Sequence, residues 1–107
     1  MQYVGRDFDP ANPTESEVYS LDFVYTLQSG ETINSVTSID LTVFQGVDAN
    51  PNSHLTGNPS VFGTVVSQRV GGLVAGVTYA FSVTVNTSPP FSNVITLFSR
   101  IACRPVQ

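Results

Sequence analysis

The sequence predicts an all-β domain, an antiparallel β-sandwich of about six to seven strands, on three observations. Tyr79, Phe81, Val83 and Val85 alternate with Ala80, Ser82, Thr84 and Asn86, the period-two pattern of a strand with one buried face. Clusters of glycine, proline and asparagine punctuate the chain at short intervals, as turns between strands require. No amphipathic run recurs at helical spacing, and strands without helices bury their apolar faces by packing sheet on sheet.

Residues 1–17 are expected to form an N-terminal arm. Asp7 to Glu17 hold Pro10, Pro13 and the acids Asp7, Asp9, Glu15 and Glu17. Each proline fixes φ and withholds a backbone donor, so no ladder is expected to start there. The sandwich itself is expected over 18–104, followed by a short tail at 105–107. Its first strand spans 18–27, with Tyr19, Leu21, Phe23, Tyr25 and Leu27 on one face, and Gln28-Ser29-Gly30-Glu31 makes a tight turn. The second spans 33–44, with Ile39, Leu41 and Val43 on one face and a break near Asn34-Ser35.

Residues 45–59 carry Gly46, Pro51, Gly57 and Pro59 and read as one irregular loop, of a length usually tied to function. A third strand is expected at 62–70, its register ambiguous at Val65-Val66. The fourth is the Tyr79 strand, which Ser88-Pro89-Pro90 must end. The last, 93–104, sets Ile95, Leu97 and Ile101 against Thr96 and Arg100. Between the third and fourth, Leu73 to Phe81 resembles the corner that enters the penultimate strand of immunoglobulin-like sandwiches. There a tyrosine, here Tyr79, turns its hydroxyl back to the preceding loop, and a glycine, here Gly76, supplies the turn. The expected sandwich is therefore immunoglobulin-like.

Composition bounds the function. At 107 residues the chain has the size of one domain, and only 11% of it is charged, less than half the usual ~25%. Lysine is absent, and four arginines face eight acids for a formal charge of −4. That balance disfavours nucleic acid, which needs a basic stripe, and an anionic membrane surface. Cys103 is the single cysteine, so no intrachain disulfide is expected. The N-terminus lacks the basic and apolar regions of a signal peptide, and no apolar stretch is long enough to span a bilayer, so a soluble product of the cytoplasm is expected.

Catalytic chemistry needs convergent ionisable groups. His54 is the only histidine, and in its Asn/Pro-rich surroundings it reads as a solvated loop side chain, although a pair with Cys103 stays formally open. No Gly-x-Ser-x-Gly elbow occurs. Gly71-Gly72 lacks the lysine of a phosphate loop and reads as a turn between strands. Asp7, Asp9, Glu15 and Glu17 do not have the spacing of a calcium loop. No catalytic, cofactor-binding or metal-ligating residue is expected, and the chain reads as a non-enzyme.

Several segments together resemble a known family. They are Asp9-Pro10 followed by Glu15 and Glu17; Tyr19 and Asp22-Phe23; the hairpin-like stretch Leu27 to Ser35; and Val70-Gly71-Gly72 leading to Gly76-Val77-Thr78-Tyr79. In this order they resemble the phage tail fibre–tail adaptors, short virion structural proteins. The chain departs from that pattern in having no tryptophan, a longer 45–59 loop and an unusually apolar Val94 to Phe98.

The resemblance implies a non-enzymatic virion component, made in the host cytoplasm. It would dock tail fibres or another appendage onto the tail or head–tail ring, in multiple copies of a symmetric assembly. Phe8, Phe44, Phe62, Phe91 and Phe98 are the candidate partner contacts. The arm and the tail are expected to order against neighbours, and exposed strand edges to accept a partner's strand. The alternatives are a capsid-decoration protein, or a recognition module binding a glycan or host surface through 45–59. That loop lacks the aromatic platforms that sugars favour.

Overall fold

Thr78–Thr87 is the strand around which the rest is arranged. Its Tyr79, Phe81, Val83, Val85 and Thr87 are buried and its intervening residues half-buried, as the alternation predicts. In the computed structural model, which describes residues 2–104, the strands are β1 (Gln2–Tyr3), β2 (Ser16–Asp22), β3 (Ile33–Gln45), β4 (Leu55–Phe62), β5 (Val65–Gly71), β6 (Thr78–Thr87) and β7 (Val94–Ala102). One sheet has the order β1-β7-β6-β3 and the other β2-β5-β4. The orders β3-β6-β7 and β2-β5-β4 are those of an immunoglobulin-like sandwich, and the first strand joins β7 in parallel instead of lying beside β2. The expected fold class is the observed one.

The core lies between the sheets. Tyr19, Leu21, Phe23, Val66 and Val70 on one side meet Leu41, Phe81, Val83, Val85, Leu97 and Ile101 on the other. Tyr19 and Phe81 face each other across the gap with ring centroids 6.3 Å apart. Phe8 enters from the arm, edge-on to Tyr19 at 5.0 Å and to Phe81 at 6.0 Å. Such edge-to-face aromatic contacts favour packing beyond their burial alone.

The N-terminal segment is therefore not a free arm. Val4 N donates to Phe98 O, Phe8 N to Arg100 O, and Ala11 N to Ala102 O, while Arg104 N donates back to Ala11 O. Ala11 is only 3% exposed and bridges Cys103. Proline does not prevent this ladder, because the donors it uses are at positions 4, 8 and 11, and Pro10 falls between them. The expected tail at 105–107 lies outside the described residues.

Other expectations change. The strand expected at 18–27 is β2, which ends at Asp22, and Tyr25 sits on a turn, 97% exposed, although Phe23 is buried as expected. The stretch after it is a crossing between sheets and not a hairpin, since β2 pairs with β5 and β3 with β6. The last third of the expected 45–59 loop is strand: β4 begins at Leu55 and forms a hairpin with β5 through Gly63-Thr64.

β4 was hidden by its own composition. Gly57, Asn58 and Pro59 sit in an irregularity where pairing skips from Thr56 to Ser60, and edge strands tolerate such bulges. The buried Gln68 side chain, on the same inward face as Val66 and Val70, donates from Nε2 to the carbonyls of Thr56 (2.8 Å) and Gly57 (3.2 Å). This resolves the Val65-Val66 ambiguity: Val66 points inward. Gly71 is not part of a turn; it ends β5 opposite Ser16, where an added Cβ would lie 2.9 Å from the serine side chain.

Candidate functional site

Two side-chain clusters outside the apolar core carry polar groups. The first is at the corner before β6. Tyr79 Oη accepts from Val74 N at 3.0 Å, the return to the preceding loop that the sequence predicts, and Gly76 takes its turn at φ +84°. The same hydroxyl donates to Asp48 Oδ2 at 2.6 Å, and His54 Nε2 donates to that oxygen at 2.7 Å. The carboxylate can only accept, so the hydrogen of the imidazole bond belongs to Nε2. Asp48 Oδ1 also accepts from Asn50 N at 3.0 Å.

His54 is thus not a solvated loop residue. Its side chain is 13% exposed and its ring stands edge-on to Tyr79 at 5.7 Å. The sequence offered no signal for this, because Asp48 reads as an ordinary turn residue six positions earlier. Asn52 Oδ1 accepts from Leu41 N at 2.7 Å, so the short 3-10 helix Pro51–His54 is tied to β3 as well.

The electrostatics describe a clamp. Asp48 is held below its ordinary range by the Tyr79 hydroxyl first, then by the His54 ring and the Asn50 N–H. Burial and the neighbouring carboxylate push the Tyr79 hydroxyl up to about 12. Tyr79 is fully buried, so this Tyr–Asp–His chain is sealed at its tyrosine end. Cys103 does not pair with His54: its thiol turns to Leu73 O at 3.6 Å, and burial pushes its pKa up, away from thiolate. What the arrangement does is fasten the 46–54 loop to the corner.

The second cluster covers the outer face of the β1-β7-β6-β3 sheet. The Arg100 guanidinium lies 4.8 Å from the Tyr3 ring centre and 4.9 Å from that of Phe44. Tyr3 Oη and Arg100 Nε both donate to Asp7 Oδ1, at 2.7 and 3.0 Å. Phe98 packs on Tyr3 with centroids 5.3 Å apart. The register places Arg100 opposite Ala80 and Phe98 opposite Ser82, so the large side chains stand over small ones. Tyr3 was missed because a two-residue parallel strand has no periodicity to read.

The five candidate phenylalanines scatter. Phe44 (55% exposed) and Phe98 share this outer face, whereas Phe62, 88% exposed, ends β4 at the far hairpin. Phe91 is half-buried in the turn between β6 and β7. Phe8 is half-buried and packs against the core from the N-terminal segment. Among the described residues, no group of three His, Cys, Asp or Glu is placed to hold a metal ion. No helix there is long and apolar enough to cross a membrane.

Two hydrogen-bonded acids, Glu31 and Asp48, are expected to govern the response to acid. Glu31 Oε2 accepts from Thr87 Oγ1 (2.6 Å) and Asn93 Nδ2 (2.9 Å), and Oε1 from Gln28 N (2.9 Å). The Thr87 hydroxyl foremost, then the Gln28 N–H, holds its pKa below 4.5, as Asp48 is held below 3.8. Both acids ionise more readily folded than unfolded. Their stabilisation is complete above those ordinary values and is lost as pH falls through the lower folded ones. The urea midpoint is expected to be flat from neutral pH to about pH 5 and to fall steadily below about pH 4.5. In Glu31→Gln, which cannot ionise, the midpoint should fall less steeply. A parallel fall in both proteins would show that Glu31 is not a source of the acid sensitivity.

No protein-family model, no curated protein and no solved structure matches this chain.

Proposed function

We propose that this chain is a non-enzymatic structural protein of a phage virion, an adaptor docking a tail fibre or another appendage onto the tail or head–tail ring. Several copies would act together around a symmetric assembly. The observation that carries the reading is the outer sheet face on which Tyr3, Phe98 and Phe44 surround Arg100. Aromatic residues and arginine are the side chains most enriched at the centres of protein interfaces, and lysine is depleted there. Arg100 is already held between two rings and bonded to Asp7, so little side-chain freedom is lost on docking. The order of motifs from Asp9 to Tyr79 supports the same reading.

A glycan site in the 45–59 region gains no support. Its Asp48 and His54 side chains are turned to Tyr79, Asn52 is bonded to β3, and the segment holds no Phe, Tyr or Trp.

Immunogold electron microscopy on particles of the phage that carries the gene tests the proposal. Label at the tail, near the fibre roots, is the expected result. Label spread over the capsid would replace the adaptor by a decoration protein. Absence of the chain from purified particles would end the virion reading.

A further inference from the structure

The sandwich has edge strands at β1, β2, β3 and β4, of which β1 is only two residues long, and natural sheets usually blunt such edges against unwanted pairing. β4 is blunted by Pro59, Gly57 and its irregularity. β3 is interrupted by register shifts at three places, and its Leu41 N–H is taken by Asn52. β2 has none of these devices: its register against β5 is unbroken from Ser16 to Asp22, without glycine or proline. Phe23 N donates to Thr64 O and Gly72 N to Glu15 O, so odd-numbered residues from 15 to 23 turn their backbone groups to β5. By alternation, the N–H and C=O of Val18, Ser20 and Asp22 point away from β5.

Beside Ser20–Asp22, between β2 and the N-terminal segment, runs an open groove of about 580 Å³. Val4, Phe8, Leu21 and Tyr25 form its apolar surface, and Asp9 and Asp22 stand on it with Asp7 against one arginine, Arg6. This is the place beside β2 where a first strand lies in sandwiches whose sheet has four strands. Here that strand is drawn to β7 instead.

We propose that the β2 edge and this groove accept an added strand from a partner protein, an extended segment alternating apolar and basic residues. Backbone pairing with Val18, Ser20 and Asp22 would supply affinity and side chains at alternate positions specificity, the division of labour in strand addition. Inward residues of the added strand fill the space over Phe8 and Leu21, and lysine or arginine on it meets Asp9 and Asp22. A second copy of this chain is the poorer occupant. It has no lysine and a charge of −4, and its own β2 edge carries Glu17 and Asp22 and no basic residue to meet Asp9 and Asp22. The inference stands on the edge and groove alone and holds whether or not the chain belongs to a virion.

The test is amide exchange, read by NMR on the full chain titrated with a blocked peptide of alternating valine and lysine. Saturable binding is expected, with exchange at Ser20 and Asp22 slowed at least about tenfold. Asp9→Lys, at an exposed position, should weaken binding about fivefold or more. The same peptide N-methylated along its pairing edge should not bind, a result that depends on no protein variant. The proposal is overturned by absence of saturable binding, by protection on β3 or β4 instead, or by equal binding of a valine–glutamate peptide. Self-association that protects the same amides without peptide would give the edge to a second copy and likewise overturn it.

Discussion

Phe81→Ala is expected to lower the unfolding free energy by about 3–5 kcal/mol. Phe81 is fully buried on the central strand of its sheet, and its ring meets Tyr19 of the opposite sheet and Phe8 of the N-terminal segment. Truncation loses the transfer free energy of the ring and leaves a cavity among residues anchored in three different strands or segments, which cannot close over it together. Domains of this size are stable by about 5–15 kcal/mol, so the variant stands near the edge of folding. Urea unfolding should show a lower midpoint at unchanged slope. Because Phe8 is held by a segment with few ladder bonds, its exchange protection should fall furthest. A cost below about 1 kcal/mol would mean that the aromatic cluster is not the tightly packed centre described above.

Tyr79→Phe removes one oxygen and is expected to cost about 1–3 kcal/mol, the range for leaving buried partners unpaired. The hydroxyl both accepts from Val74 N and donates to Asp48, so its loss orphans an N–H at the corner and a bond to the loop. Two signatures separate this from a simple packing loss. The Val74 amide should exchange faster. In a double-mutant cycle with Asp48→Asn, the two changes should cost less together than the sum of each alone. Strict additivity would mean that Tyr79 acts only through its ring.

Much of the fold was legible because burial on one face of a strand writes itself into local alternation. Tyr79 to Val85, Ile39 to Val43 and Leu97 with Ile101 all point inward as read, and the break near Asn34-Ser35 coincides with a register shift in β3. The corner tyrosine was legible for the same reason: its donor is only five residues away. β4 was not, since seven of its eight residues are exposed and an edge strand with little to bury leaves no periodic trace.

Legible in the residues alone were the class of the domain, the inward faces of its central strands, the tyrosine corner and the net negative charge. These depend on residue type and on neighbours close along the chain. Long-range packing chose which strands pair, brought Phe8 against the core, set Asp48 on His54, and laid Arg100 against Tyr3 and Phe44. It also decided that the first strand joins β7 and leaves β2 open. Each of these outcomes is a competition between backbone edges or side chains far apart in the chain. Local propensity is nearly equal among the competitors, and packing against the opposite sheet chooses between them.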